Sequence, residues 1–362
     1  MKVVLITNIP APYRVPIYNE IAKKFGDNFL VIFAAKKEPN RKWEISEMKF
    51  KHLFLKENFL SKSDGYNYIH NNIEILSILK QVNPDVIITT GFNPTHIYGW
   101  LYSVLYKKKH IPMTDGWIIS EKNLSIIHKI IRKIVFKTSH AFIGASINSI
   151  KLYTSYGVPM EKIFQSHLCI DNKRFENNKT FEQRKYDIMF SGQFIDIKSP
   201  LFFVDIAIKL SKKINNLHVL ILGDGPLKDE LISKLNENNI QYHYAGFVSQ
   251  EELPEYYSNS KLLLFPTKID AWGIIVNEAM ASGTPVLTTP YAGVINDLLI
   301  DGKNGYILDF NVDKWVNKIE NILNNQTLWE TLSMNAKNRV QEFNFINAAN
   351  GIINAIEYAY EN

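Results

Sequence analysis

Two carboxylates, Asp270 and Glu278, stand eight residues apart in the stretch TKIDAWGIIVNEAMASGTPVLTT, residues 267–289. Between them lie Gly273 and the expected start of a helix. The first amides of a helix lack internal partners, and the helix dipole makes that end electropositive. A glycine there lets an anion approach the backbone, so the amides of Gly273, Ile274 and Ile275 can cradle a phosphate. Glu278 lies more than a turn inside the helix, and its side chain leans back toward the N-terminus. From there it can accept hydrogen bonds from both hydroxyls of a ribose. Asp270, on the loop before the helix, can meet a second set of hydroxyls. The alternative for each acid alone is a solvated loop or helix charge.

The elements that must position these residues follow from hydrophobic patterning. KVVLIT (2–7) reads as a strand, Arg14 to Phe25 as a helix and FLVIFAA (29–35) as a strand; DVIITT (85–90) and HAFIGA (140–145) are further buried strands. The pattern pauses in a polar stretch from Gln165 to Lys185. It restarts with YDIMFSG (186–192), LHVLILG (217–223), YHYAGF (242–247), KLLLFP (261–266) and TPVLTT (284–289). Apolar strands alternating with helices make an α/β chain with parallel sheets covered by helices. The expected organisation is an N-terminal Rossmann-like domain over 1–168, a linker over 169–185, a C-terminal Rossmann-like domain over 186–344 and a final helix over 345–362. Ligands of such sheets bind outside the carboxyl ends of the strands, so two doubly wound domains facing a cleft would share one site.

The acid pair with its glycine and helix resembles the E-x7-E signature of retaining glycosyltransferases of the GT-B fold, above all glycosyltransferase family 4 (glycosyl transferases group 1). The resemblance covers the whole chain and is strongest from Tyr186 to Gly305. It implies a fold of the GT-B type and a final helix that crosses back onto the first domain. Family members mostly carry Glu where Asp270 stands, a difference of one methylene that bears on donor identity. SGQFIDIKSP (191–200) is similar to the family's G-R-x-x-x-x-K phosphate motif, with Gly192 at its glycine and Lys198 at its lysine. There a fixed ammonium neutralises charge growing on the leaving diphosphate. The arginine position is Gln193, so either another cation, such as Lys268, substitutes or the leaving group is held less strongly. GDGP (223–226) matches the family's loop at this place: Gly223 and Gly225 permit a tight turn, and Pro226 suits a first helical position. AGFVS (245–249) matches the segment flanking the nucleobase, with the peptide groups of Phe247 and Val248 facing a base edge.

On the acceptor side the resemblance points to three loops. NIPAPYR (8–14) replaces the glycine-rich loop of most relatives with Pro10, Ala11 and Pro12, followed by Tyr13 and Arg14. An arginine at a helix start opposes the dipole, so Arg14 either serves a phosphate or acidic acceptor group or is simply solvated. MTDGW (113–117) ends a strand and places Asp115 where relatives bring a histidine or acid to the reacting sugar; the alternative is an acidic turn-former before Gly116. GFNPTH (91–96) adds Asn93 and His96 as acceptor-site candidates.

Composition bounds the rest. With 362 residues, 46% apolar and 21% charged, the chain suits two soluble domains. A single cysteine, Cys169, excludes an internal disulfide and a cysteine metal cluster. The apolar run Val3 to Ile6 is too short for a signal-peptide core and no run reaches a membrane span, which leads to the expectation of a cytoplasmic protein. Net charge is +5, and no nucleic-acid-binding signature occurs, so no nucleic acid partner is expected. HKIIRKIVFK (128–137) sets Lys129, Arg132, Lys133 and Lys137 among Ile and Val at helical spacing, and LYKKKH (105–110) adds charge. A basic amphipathic helix of this kind either lies on the anionic inner face of the cell membrane or packs on its own sheet.

The resemblance thus implies a retaining, hexosyltransferase-type enzyme that moves a sugar from a UDP- or GDP-type donor to a hydroxyl of a glycan or lipid-linked glycan in bacterial surface polysaccharide or lipopolysaccharide synthesis. No D-x-D triplet occurs, so no metal or other cofactor is expected; Lys198, Asp270 and Asp115 are the expected catalytic residues. A sugar-nucleotide epimerase of the same fold and a non-catalytic nucleotide-sugar-binding partner subunit are the alternatives.

Overall fold

A computed structural model describes residues 1–39, 45–61, 68–122 and 124–362. They form two compact units, one of residues 1–168 with 345–362 and one of 169–344.

In the first unit the strands are β1 (Val3–Thr7), β2 (Phe29–Phe33), β3 (Lys51–Phe54), β4 (Phe59–Ser61), β5 (Tyr68–His70), β6 (Val86–Thr89), β7 (Lys109–Thr114), β8 (Phe142–Gly144) and β9 (Ile163–Gln165). Seven of them make one sheet in the order β3-β2-β1-β6-β7-β8-β9, every neighbour parallel, while β4 and β5 pair antiparallel apart from it. Register is set at the centre, where Leu5 faces Val31 on one side and Ile88 on the other. Val3 to Ile6 are fully buried, as a strand covered on both faces must be. The helix Val15–Phe25 begins one residue after its expected start, because Arg14 is its N-cap. The final helix, Phe345–Glu361, belongs to this unit. It approaches β9 closely at Gly351, where a Cβ would come within 1.8 Å of the Gln165 carbonyl oxygen.

The strands of the second unit are β10 (Tyr186–Ser191), β11 (Val219–Leu222), β12 (Tyr242–Gly246), β13 (Ser260–Phe265), β14 (Val286–Thr288) and β15 (Gly305–Ile307), in the parallel order β12-β11-β10-β13-β14-β15. Its core joins Ile188, Phe190, Phe194, Phe203 and Trp315 beneath helices on the sheet.

Several elements differ from expectation. The edge strand β3 alternates exposed and half-buried residues and carries Lys51 and His52, so it lacks the apolar run that marks the central strands. Strands β9 and β15 are three residues each, too short to register as a period. The stretch 169–185, expected as a linker, is packed into the second unit. Its polar residues resemble a linker but cap buried carbonyls: Arg184 is 3% exposed and donates to the Tyr257, Ser260 and Ser282 carbonyl oxygens, and Asn172 donates to those of Val340 and Phe343. The helix after GDGP starts at Lys228, so Pro226 lies in the preceding turn.

Candidate active site

In each unit the strand order reverses beside the first strand, between β1 and β6 and between β10 and β13. The loops leaving such a pair of strands diverge and open a crevice at their carboxyl ends. Most of the expected site residues lie on loops around these two places.

In the second unit, β10 ends at Ser191 and the chain turns at Gly192, φ +149°. Gly223, at the end of β11, lies so close that a Cβ on it would sit 1.8 Å from the Gly192 carbonyl oxygen. The two loops are then tied by Phe194 N donating to Asp224 O at 2.9 Å. Phe194 is fully buried, which fixes the loop that follows it. A single 3₁₀ turn, Asp196–Lys198, leads to Ser199, the N-cap of the helix Pro200–Ser211. The loop after β13 is laced to this turn: Lys268 N donates to Ile197 O at 2.8 Å, and Thr267 Oγ1 to the same oxygen at 3.1 Å.

That lacing brings together two residues 72 positions apart. Lys198 Nζ forms an ion pair with Asp270 Oδ2, and both side chains are about one-fifth exposed. The other carboxylate oxygen, Oδ1, accepts from Trp272 N at 3.0 Å, and Asp270 N donates to Tyr291 O at 3.0 Å. Lys268 pairs with Asp196 at 2.6 Å, so it is committed to the outer side of the same turn. Gln193 is exposed.

The helix Ile274–Ala281 starts on Gly273, whose φ of +102° is open to glycine and costly for other residues. A Cβ there would also lie 2.6 Å from the Phe265 ring. No side chain caps this end, so the first amides stay available to an anion. The buried Trp272 fixes the turn by donating from Nε1 to Asn277 Oδ1 at 2.8 Å. Glu278 has its carboxyl pKa pushed up to about 7: burial outweighs a hydrogen bond from Tyr257 and the charge of Arg174. The Tyr257 hydroxyl in turn lies 3.1 Å from Ser191 Oγ. Tyr257, Ser191 and Arg174 thus support Glu278, and no motif marked Tyr257 or Arg174. Phe247 is 63% exposed on the loop after β12, with Val248 half-buried beside it. Gly223 N donates to Gly246 O at 2.8 Å, which ties that loop to GDGP.

In the first unit a cavity of about 180 Å³ opens at the ends of β1, β6 and β7, lined by Asn8, Tyr13, Arg14, Glu38, Thr90 and Asp115 among others. Arg14 is 6% exposed and pairs with Asp115. The solvated reading of Arg14 is therefore wrong, and Asp115 is more than a turn-former. Burial pushes the hydroxyl of Tyr18, also in the lining, up to about 12. Glu38 is held by His70 Nε2 at 3.0 Å; neither residue belongs to a recognisable motif. Asn93 donates to Asn8 Oδ1 at 3.2 Å. His96 does not reach the cavity lining: it is 1% exposed beneath Gly91, and burial lowers its pKa to about 3. Its place at the start of the helix Pro94–Leu105, which packs on the sheet, turns the ring inward.

The profile of glycosyl transferases group 1 matches residues 171–339, which include Lys198, Asp270 and Glu278. Residues 171–339 form a glycosyl transferases group 1 domain. Relatives of this glycosyltransferase include the capsular polysaccharide biosynthesis glycosyltransferase CapM of Staphylococcus aureus, 27% identical over 69% of this chain and 64% of that protein. An uncharacterized 41.2 kDa protein in the cps region of Klebsiella pneumoniae is 22% identical over 75% of this chain and 80% of that protein. Among solved structures, Anabaena HepE in complex with UDP superposes with a TM-score of 0.77 at 15% identity, covering 99% of this chain and 100% of that one. The two parallel α/β sheets of this group 1 glycosyltransferase are those of the GT-B fold.

Proposed function

We propose that this group 1 glycosyltransferase moves a hexose from a UDP- or GDP-type donor to a hydroxyl of a glycan or lipid-linked glycan, with retention and without a metal ion, in bacterial surface polysaccharide or lipopolysaccharide synthesis. The observation that carries the reading is the Lys198–Asp270 pair next to the uncapped N-terminus of Ile274–Ala281. The amides of Gly273, Ile274 and Ile275 hold the diphosphate, Lys198 neutralises it as it leaves, and Glu278 accepts from the ribose hydroxyls. Asp270, steadied by Trp272 N, turns its remaining lone pairs to the sugar. Phe247 and Val248 flank the base. In the reaction the sugar C1–O bond to the diphosphate breaks while the acceptor oxygen bonds to C1 on the same face. A diphosphate oxygen takes the acceptor proton. Asp115, oriented by Arg14, and Tyr13 and Asn93 bind the acceptor.

The UDP complex of Anabaena HepE makes UDP-sugars the first donors to try, and CapM directs the acceptor search to capsule-type glycans. The lysine-rich segment 128–137 supports a peripheral contact with anionic membrane. The test is an assay of UDP- and GDP-hexoses against glycan acceptors in the presence of EDTA. Acceptor-dependent nucleotide release with the donor's anomeric configuration in the product is expected. Donor conversion without acceptor would replace the proposal with an epimerase, and donor binding without turnover would replace it with a binding subunit.

A further inference from the structure

Residues 86–160 carry eight lysines and one arginine against two acids, a net +7 in a chain whose total is +5. Both acids are already compensated, Asp115 by Arg14 and Glu121 by Arg132. The helix Ile126–Thr138 presents the expected lysines but departs from expectation at Arg132. Arg132 turns inward, 8% exposed, with Nη2 2.9 Å from Glu121 Oε1 and its guanidinium 4.1 Å over the Phe92 ring. The outer face instead carries Ile126, Ile127, Ile130 and Ile134, exposed by 77%, 70%, 52% and 50%. The exposed Lys129, Lys133 and Lys137 lie among them. Ile126, Ile130 and Ile134 recur every four residues, so they share one stripe. Contiguous apolar surface of this kind marks a contact with something apolar.

The face continues onto the helix Pro94–Leu105, tied to the first by Trp100 Nε1 donating to Thr138 Oγ1 at 2.8 Å. It exposes Leu101, Val104, Leu105 and Tyr106. Between the ends of the two helices lies a cavity of about 360 Å³ lined by Ser103, Lys107, Lys108, Lys109, Thr138 and His140, with no carboxylate in its lining. None of the three lysines has an acidic partner among the described residues. Burial, then the charges of Lys109 and Lys162, lowers the His140 pKa. Three compact ammonium groups suit a phosphate. An apolar stripe set among lysines suits the boundary of an anionic bilayer, where each nearby lysine contributes about 1 kcal/mol.

We propose that this two-helix face docks on an anionic phospholipid bilayer with a lipid headgroup phosphate seated in the lysine-lined cavity. The inference rests on the membrane contact proposed above and names its anchor. It is independent of the donor chemistry.

The test is co-sedimentation of the full chain with phosphatidylcholine vesicles, with and without phosphatidylglycerol. Binding that requires phosphatidylglycerol and weakens with salt is expected. Lys107→Glu/Lys108→Glu should lower vesicle affinity at least about tenfold, and more than Lys129→Glu/Lys133→Glu, which makes the same charge change on the helix. Ile127→Glu should weaken binding through the apolar arm. Lys212→Glu/Lys303→Glu, in the second unit, should leave it unchanged. Absence of binding by the unaltered chain to either vesicle overturns the docking. Equal losses from the cavity and helix pairs overturn the headgroup seat. Thermal midpoints and binding of UDP and GDP, read on the same samples, separate misfolding from lost contact. Failure to bind either UDP or GDP would count against the transferase reading and leave the vesicle result intact.

Discussion

Each unit holds an ion pair on loops at the carboxyl ends of its strands, and the two pairs are held differently. In the second unit Lys198 and Asp270 are equally and only partly exposed, at 21% and 19%. In the first, Arg14 is 8% exposed at its side chain while its partner Asp115 is 37% exposed. A pair whose two charges both reach solvent keeps a cation available to an incoming phosphate. A buried arginine spends its charge on a carboxylate and orients it. The difference agrees with the chemical role proposed for Lys198 and with Arg14 orienting Asp115.

Paired substitutions test that division. Lys198→Ala should lower kcat by about 100-fold, because its charge is needed as the diphosphate departs, with little change in thermal midpoint. Arg14→Ala should cost about 1–2 kcal/mol of first-unit stability, a figure discounted for the exposure of Asp115, and leave UDP affinity unchanged. Equal effects of the two on kcat, or a pure KM effect of Lys198→Ala, would break the comparison.

A smaller effect sharpens it through pH. The Glu278 carboxyl pKa is raised from the ordinary 4.5 to about 7, so the carboxylate that accepts from ribose is populated as pH rises through 7. Donor affinity of the unaltered chain should therefore improve between about pH 6 and about pH 8. Glu278→Gln should lose about tenfold in kcat/KM at the upper end, and that limb of the profile should flatten. The stability sign is the reverse. A carboxyl with a raised folded pKa contributes stability below its unfolded value and loses it as pH rises through the folded one. Glu278→Gln should thus be more stable than the unaltered chain above neutral pH, by about 1 kcal/mol. A profile unmoved by the substitution would remove Glu278 from the ribose.

The proposed donor site was legible because it is nearly contiguous. Asp270, Gly273, Ile274, Ile275 and Glu278 all lie within one turn and helix, so local rules of backbone freedom and helix ends apply to them directly. The Lys198–Asp270 contact was not legible, since it depends on the loop-to-loop bonds that Lys268 N and Thr267 make to Ile197. The first-unit cavity was harder still. Its polar lining combines Thr7, Asn8, Tyr13 and Arg14 at the end of β1 with Thr90 after β6, Asp115 after β7 and Glu38 after β2. No spacing rule links Glu38 to His70. Arg132 misled for a different reason: helical periodicity assigns a face, but whether a long cation points out or folds over Phe92 toward Glu121 is decided by tertiary partners. The edge strand β3 was missed because solvent on one side removes the apolar run that marks a central strand.

The central claim is that the uncapped start of Ile274–Ala281 binds the donor's diphosphate while Glu278 holds its ribose. A crystal structure of the chain with a UDP-hexose tests it most directly. The account predicts phosphate oxygens at hydrogen-bond distance from the amides of Ile274 and Ile275 and from Lys198 Nζ, with both ribose hydroxyls on Glu278. A nucleotide bound elsewhere, with those amides and Glu278 untouched, would contradict it.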